Sequence, residues 1–247
     1  GQGFLTAAEA FAKASTQAGY YAQTFATFPS QITGGPTWMQ VRISTEPVHS
    51  RGDDIDVLVV FNEYAYEIHK SEVKSDGIIL YEADAIDLTE ADRHLGINFE
   101  KLGKSTGNPR SANMVVIGVL AGLMDIPTKI FEDFVTVRYA NILRYGEKTI
   151  PQNIQAINLG SDEAQNSGLS LGELEEPNPP DYSQVFLNGN VAISLGAVAA
   201  GLEFYAGYPI SPATSILVWM ERNLTGPGKF AYQASSEIES ITSVLGA

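Results

Sequence analysis

The sequence predicts an α/β fold in two parts, and three observations carry that reading. Short apolar runs of the buried-strand type alternate with helical periodicity up to about residue 145. A stretch rich in glycine, serine, acids and proline interrupts the pattern from about residue 160, and a second strand-and-helix unit begins near Val185. The 247 residues suit more than one average domain, and 44% hydrophobic residues can bury a core.

Taken in order, residues 4–18 place Leu5, Ala8, Phe11, Ala12 and Ala14 near helical spacing, and Gly19 supplies a stop. Residues 20–25 and 39–43 have strand character, with Thr33-Gly34-Gly35-Pro36 between them as a turn or glycine-rich loop. Asp56-Val57-Leu58-Val59-Val60-Phe61 is a short apolar run of the buried parallel type. A helix from about Glu63 and a strand over residues 77–81 follow it, giving βαβ order. Residues 113–123 and 127–134 read as two further helices. The longest apolar run, residues 114–124, is about half of the ~20 residues that would span a bilayer, so it reads as a buried helix. These elements define a first domain over residues 1–159, a linker over 160–184 and the beginning of a second domain over 185–247. The linker contains Glu175-Glu176-Pro177-Asn178-Pro179-Pro180, which has few groups able to anchor a core.

The second domain opens with Asn188-Gly189-Asn190 as a turn, a small-residue helix through Ala200, and a strand ending in Tyr208-Pro209-Ile210-Ser211-Pro212. Ser211 is expected at a helix N-cap with Pro212 in the first helical position, and Ile216, Leu217 and Met220 supply the apolar face. That places a hydroxyl at the carboxyl end of a strand, where open α/β sheets bind ligands. Ser236 and Glu239 have capping-box spacing at the start of another helix, and Glu237 lies between them, where a helix N-terminus favours the ionised carboxylate. On the residues alone, capping accounts for Ser211, a first-turn position accounts for Glu237, and a turn needing positive φ accounts for Gly34 and Gly35.

Composition narrows the function. A net charge of -14, from 15 basic and 29 acidic residues, argues against a nucleic-acid groove. The absence of cysteine excludes thiolate zinc and iron–sulfur ligation by this chain, so any cluster must sit on a partner. His49, His69 and His94 lack ligand spacing, and Asp53, Asp54 and Asp56 read as a solvated strand entrance, so no metal site is expected. Gly1-Gln2-Gly3 precedes a helix, but the Gly-x-Gly-x-x-Gly spacing fails, and it reads as an ordinary turn. No signal peptide or membrane span is visible, and a cytoplasmic location is expected. The start without Met and the end inside a helical pattern suggest a fragment.

Both halves resemble the 2-oxoacid:ferredoxin oxidoreductases, thiamine-diphosphate enzymes, in gamma-then-alpha order. Gly1-Gln2-Gly3, Thr6-Ala7-Ala8-Glu9, the loop from Pro29 to Gly35 and Val41-Arg42-Ile43-Ser44 are similar to the gamma domain. Asn188-Gly189-Asn190 and Tyr208-Pro209-Ile210-Ser211-Pro212 resemble the opening of the pyrimidine-binding domain. The resemblance implies a gamma-type α/β domain linked to the start of a thiamine-diphosphate pyrimidine-binding α/β domain. It further implies that Glu237, nine residues before Gly246-Ala247, hydrogen-bonds the aminopyrimidine ring of thiamine diphosphate, and that Ser211 faces the thiazolium and the 2-oxoacid. Tyr208 and Pro209 would line the cofactor, and Gly34, Gly35 and Arg42 would lie on the coenzyme A side. The implied activity is conversion of a 2-oxoacid, with 2-oxoglutarate favoured, and coenzyme A to acyl-coenzyme A, carbon dioxide and reduced ferredoxin. Mg2+ and a [4Fe-4S] cluster would belong to a beta subunit, in a heterodimer or dimer of heterodimers. The chain departs from the family at Thr33 (arginine), at Val191 (glutamate) and at Ser235 and Ser236 (partly acidic). Two other readings stay open: a noncatalytic assembly subunit whose site has decayed at those positions, and an unrelated nucleotide- or flavin-binding α/β protein.

Overall fold

The computed structural model describes residues 2–28, 35–88, 92–140, 146–178 and 184–247, in two compact units, Gly1–Val185 and Phe186–Ala247. In the first unit, α1 (Gln2–Gln17) leads into an antiparallel pair, β1 (Tyr21–Thr27) and β2 (Trp38–Ser44). There follow β3 (Ile55–Val60), α2 (Glu63–His69), β4 (Val73–Glu82), β5 (His94–Ile97), α3 (Phe99–Ser105), α4 (Ala112–Leu123), α5 (Lys129–Ala140) and α6 (Gly146–Ser167). Strands β3, β4 and β5 form a parallel sheet in that order. The second unit runs α7 (Gly189–Ala199), β6 (Phe204–Gly207), α8 (Thr214–Asn223), β7 (Phe230–Gln233) and α9 (Glu237–Gly246), with β6 and β7 parallel. The architecture is the α/β class read from the sequence.

Local chemistry sets these boundaries. The Asn62 side chain accepts from the Ala65 backbone N–H at 2.8 Å and starts α2. Strand β4 buries four consecutive residues, Gly77 to Leu80, the pattern of a parallel strand covered on both faces. Helix α4 buries Met114, Val115, Val116, Ile117 and Val119, so it is apolar around its circumference and lies inside the unit rather than on it. Helix α5 begins two residues later than expected from Pro127, with the Pro127 carbonyl accepting the Ile130 N–H and the Thr128 carbonyl accepting those of Phe131 and Glu132. Strand β5 and helix α3 were not marked by the sequence pattern.

The linker expected from residue 160 is corrected by the structure. Helix α6 continues to Ser167 and packs along α4. A methyl group on Gly118 would lie 1.9 Å from the Ile157 carbonyl oxygen, and one on Gly160 would lie 2.1 Å from the Val115 carbonyl oxygen. One turn on, a methyl group on Gly122 would lie 2.7 Å from Cβ of Ala164, which is itself fully buried. Because the two backbones touch, this stretch of α6 needs small residues rather than large apolar ones, and its composition looks like that of a loop. The chain beyond α6 also stays attached. The Leu171 N–H donates to the Leu123 carbonyl at 2.8 Å, the Leu174 N–H donates to Met124, and the Arg93 guanidinium donates to the Gly77 and Ser170 carbonyls.

One buried carboxylate serves a helix start. Asn98 precedes α3 but makes no side-chain capping bond. Glu82, buried at the end of β4, accepts instead from the Glu100 backbone N–H at 3.4 Å. Burial raises the Glu82 carboxyl above its ordinary range, with the carboxylates of Glu100 and Asp84 adding to the rise and backbone hydrogen bonds opposing it.

Two outcomes are expected. Gly118→Ala should destabilise the first unit by at least the ~1–3 kcal/mol of an overpacked core, measured by chemical denaturation, and an unchanged midpoint would remove the backbone contact as a constraint. For Glu82, a raised native pKa means that the native state binds this proton more tightly than the unfolded chain does. Its contribution is therefore present below the ordinary glutamate range and is lost as pH rises through the raised value. Glu82→Gln should flatten that decline in a denaturation series against pH, and identical slopes in the two proteins would sink the assignment.

Candidate active-site edge

The pairing of β6 with β7 sets the geometry. The strands run parallel with Gly207 opposite Gln233, and the Ala234 N–H donates to the Gly207 carbonyl at 2.8 Å. The chain therefore leaves both strands at the same carboxyl edge. From β6 it enters the turn carrying Tyr208, Pro209 and Ser211; from β7 it passes through Ser235 and Ser236 into α9, whose first residue is Glu237. Two segments some 25 residues apart are brought to one edge by sheet register alone. A methyl group on Gly207 would lie 2.7 Å from the Tyr205 hydroxyl oxygen, so a larger residue there would have to displace that side chain.

The start of α9 is built by its neighbours. The Ser236 side chain accepts from the Glu239 N–H at 3.1 Å. Glu239 reaches back and accepts from the Ser235 N–H at 2.7 Å and from the Ser235 hydroxyl. These bonds lower the Glu239 carboxyl below its ordinary range, so it is ionised at neutral pH. The Tyr232 hydroxyl bonds the Ser243 hydroxyl and ties α9 to β7. Helix α9 nonetheless buries no residue, and Ile238, Ile241, Val244 and Leu245 are exposed. The family departure at Ser235 thus has a local role, as a partner of Glu239.

The expected cap at Ser211 is corrected. Helix α8 begins at Thr214 with Ala213 as its N-cap, and Ser211, Pro212 and Ala213 form a turn before it. The chain closes a turn here instead: the Thr214 N–H donates to the Ile210 carbonyl at 3.0 Å, the Pro212 carbonyl accepts from the Asn190 side-chain amide at 2.8 Å, and the Ala213 carbonyl receives the Ile216 N–H. Asn190 also donates to the Ser215 hydroxyl at 2.7 Å. Asn188 caps α7 by accepting from the Val191 N–H at 2.9 Å. The sequence marked Asn188-Gly189-Asn190 as a turn and missed the cross-link made by its third residue.

A contrast follows. Asn188, Asn190, Ser215, Ser235, Ser236 and Glu239 are all paired within the unit. The Tyr208 hydroxyl, the Ser211 hydroxyl and the Glu237 carboxylate have no hydrogen-bond or ion-pair partner among the described residues. Glu237 and Ser211 are exposed and Tyr208 is half-buried. The edge therefore holds a framework of satisfied groups and three polar groups left over. Glu237 thus presents an exposed carboxylate, unshared among the described residues, in the first turn of α9.

In the first unit, Gly35 has φ of 97°, the conformation expected for a glycine turn. Gly34 and Thr33 lie outside the described residues. The Arg42 guanidinium donates to the Ser50 carbonyl at 3.1 Å and to the Ser50 hydroxyl at 3.3 Å, so it holds the neighbouring loop of its own unit. Among the described residues no cluster of three or more histidine, aspartate or glutamate side chains is arranged to hold a metal ion, and no helix is long and apolar enough to cross a membrane.

Comparison with known proteins places this geometry in context. Residues 1–163 match the family profile of pyruvate ferredoxin/flavodoxin oxidoreductase. Residues 195–247 match that of the thiamine-diphosphate-binding domain of pyruvate flavodoxin/ferredoxin oxidoreductase. The 2-oxoacid:ferredoxin oxidoreductase subunit alpha of a Sulfolobus species is 25% identical over all of this chain and 46% of its own length. The 2-oxoglutarate synthase subunit KorA of Methanocaldococcus jannaschii is 47% identical over 25% of this chain and 17% of its own. A solved 2-oxoglutarate:ferredoxin oxidoreductase from Magnetococcus marinus, with 2-oxoglutarate, coenzyme A and succinyl-CoA bound, superposes with a TM-score of 0.87 at 30% identity, covering 99% of this chain and 43% of that one. The chain thus spans less than half the length of these relatives. The matches overturn the reading as an unrelated nucleotide- or flavin-binding protein.

Removing the α9 cap tests how the edge is built. Ser236→Ala should cost about 0.5–2 kcal/mol of helix stability and speed amide exchange in the first turn of α9, while α8 exchange stays unchanged. Equal protection in the two proteins would mean that something other than Ser236 holds Glu237 in place.

Proposed function

The chain belongs to the pyruvate ferredoxin/flavodoxin oxidoreductase family, and on that premise we propose that it is the fused gamma–alpha part of a 2-oxoacid:ferredoxin oxidoreductase. In this reading it works with a beta subunit to convert a 2-oxoacid and coenzyme A to acyl-coenzyme A and carbon dioxide, with two electrons passed to ferredoxin. The observation that carries the reading is the carboxyl edge of β6 and β7, where the unpaired Tyr208, Ser211 and Glu237 leave two parallel strands together.

Glu237 and the turn from Tyr208 to Ser211 would hold thiamine diphosphate. The bound cofactor supplies a carbon nucleophile for the 2-oxo group and a sink for the electrons left by decarboxylation. The part played by this chain is orientation and proton control. The Glu237 carboxylate would accept a hydrogen bond from the aminopyrimidine ring nitrogen when that nitrogen carries a proton, favouring the imino form whose exocyclic nitrogen can act as a base. The Ser211 hydroxyl, free of any helix-capping duty, is available to donate to the 2-oxoacid. Tyr208 and Pro209 form the wall between these groups. Gly35 and Arg42, with Gly34, belong to the coenzyme A side in this reading.

The substrate favoured is 2-oxoglutarate, a choice supported by the Magnetococcus marinus relative solved with that acid bound and by the local identity to KorA. Mg2+, the diphosphate group and the [4Fe-4S] cluster are assigned to the beta subunit, since this sequence has no cysteine to ligate iron. A heterodimer, or a dimer of heterodimers, in the cytoplasm completes the proposal.

The test is 2-oxoglutarate- and coenzyme A-dependent reduction of methyl viologen by the native complex. Glu237→Gln should lower turnover at least about a hundredfold, the scale of a lost acid–base partner, with assembly intact. Unchanged turnover would remove Glu237 from the cofactor. Failure of the wild-type complex with every 2-oxoacid would remove the enzyme reading in favour of an assembly subunit.

A further inference from the structure

We propose that Asn190 is a positioning residue that fixes the Ser211 hydroxyl toward substrate, acting through the carbonyl of the next residue in the chain. The inference rests on the reading of Ser211 as the group that meets the 2-oxoacid, and it assigns a role to a side chain on a different helix.

The geometry carries it. The Asn190 amide donates to the Pro212 carbonyl at 2.8 Å and to the Ser215 hydroxyl at 2.7 Å. A carbonyl can only accept, so the nitrogen of the amide must face Pro212, and its two hydrogens suffice for both bonds. The two acceptors flank Ala213, the N-cap of α8, and the nearer one directly follows Ser211. The turn is thus held at one end by Asn190 and at the other by the Ala234 N–H on the Gly207 carbonyl at 2.8 Å. Between these two clamps lie the unpaired hydroxyls of Tyr208 and Ser211.

Helix α7 has little use for this side chain on its own account. Its N-cap is Asn188, and its buried Ser194 hydroxyl bonds the Asn190 backbone carbonyl rather than the amide. Asparagine is also a poor helix former, so its presence in the first turn calls for a contact outside the helix. That contact is the Pro212 carbonyl. With that bond Asn190 ties the carbonyl next to Ser211 to α7, in a turn that lies before α8 and where the Ser211 hydroxyl has no capping bond among the described residues.

Asn190→Asp separates this role from a merely structural one. It keeps the size and suits a helix N-terminus, but it sets an acceptor against the Pro212 carbonyl. In the native complex, amide exchange at Thr214, whose N–H bonds the Ile210 carbonyl at 3.0 Å, should rise about tenfold while α7 is unchanged. In the viologen assay, KM for 2-oxoglutarate should rise about tenfold with kcat within about twofold, and the rise should vanish in a Ser211→Ala background. Unchanged exchange at Thr214, or a KM effect that adds in full to that of Ser211→Ala, overturns the proposal. A general loss of protection in α7 with a fall in kcat alone overturns it too, since that is the pattern of a fold defect. If Ser211→Ala leaves KM at the wild-type value, the assignment of Ser211 fails and the proposal fails with it. If the wild-type complex consumes no 2-oxoacid, the functional reading fails, and faster or unchanged exchange at Thr214 still decides whether Asn190 holds the turn.

Discussion

The first unit depends on the approach of two helix backbones. Where α4 crosses α6, Gly118 faces the Ile157 carbonyl and Gly160 faces the Val115 carbonyl, at separations that admit no Cβ. That approach brings α6 close enough to cover a helix that is apolar on every side. It also leaves the C-terminal end of α4 free to accept the N–H groups of Leu171 and Leu174, so the chain after α6 is drawn back onto the same core. Core packing that leaves no room for a methyl group propagates strain rather than absorbing it. The crossing adds to a single core in which Ala7 of α1, Ile78 and Leu80 of the parallel sheet, Val115 of α4 and Ile157 of α6 are all buried.

The second unit solves a different problem with less apolar surface. Two four-residue strands cannot make a stable sheet alone, and the unit relies on side chains that bond across elements. Asn190 links α7 to the start of α8, Tyr232 links β7 to α9, and Ser235 with Glu239 closes the turn before α9. Each of these groups is consumed in building the edge. What remains unconsumed is a short set of polar groups, and the functional reading rests on that remainder rather than on a concave pocket.

Much of this was legible in the sequence. Alternation of apolar runs and helical periodicity gave the α/β class, the βαβ order of β3, α2 and β4, and the buried character of α4, because those features come from side-chain hydrophobicity. Capping chemistry at Ser236 and Glu239 was legible for the same reason: it is local, and its spacing is fixed by helix geometry. Three of the features that escaped show why. Helix α6 was hidden because contact between backbones selects glycine, alanine and serine, which read as a linker. Strand β5 was too short, at four residues, to show a period. The Ser211 cap was misread because the donor that ties this turn, the Asn190 side-chain amide on the Pro212 carbonyl, lies 22 residues away in sequence, and no local pattern reports a partner at that distance.

The unburied face of α9 bears on the thermodynamics of Glu237. No side chain of α9 is buried, and its contacts with the rest of the unit include the capping bonds of Ser236 and Glu239 and the Tyr232–Ser243 hydroxyl pair. Glu237 is held through those polar contacts, so any opening of the first turn displaces its carboxylate. A ligand that requires the carboxylate in place binds with an apparent affinity scaled down by the ordered fraction. Anything that lies down on Ile238, Ile241 and Leu245 raises that fraction without touching the ligand. Binding of any ligand that needs this carboxylate in place and the covering of α9 would be linked, each strengthening the other by the same factor.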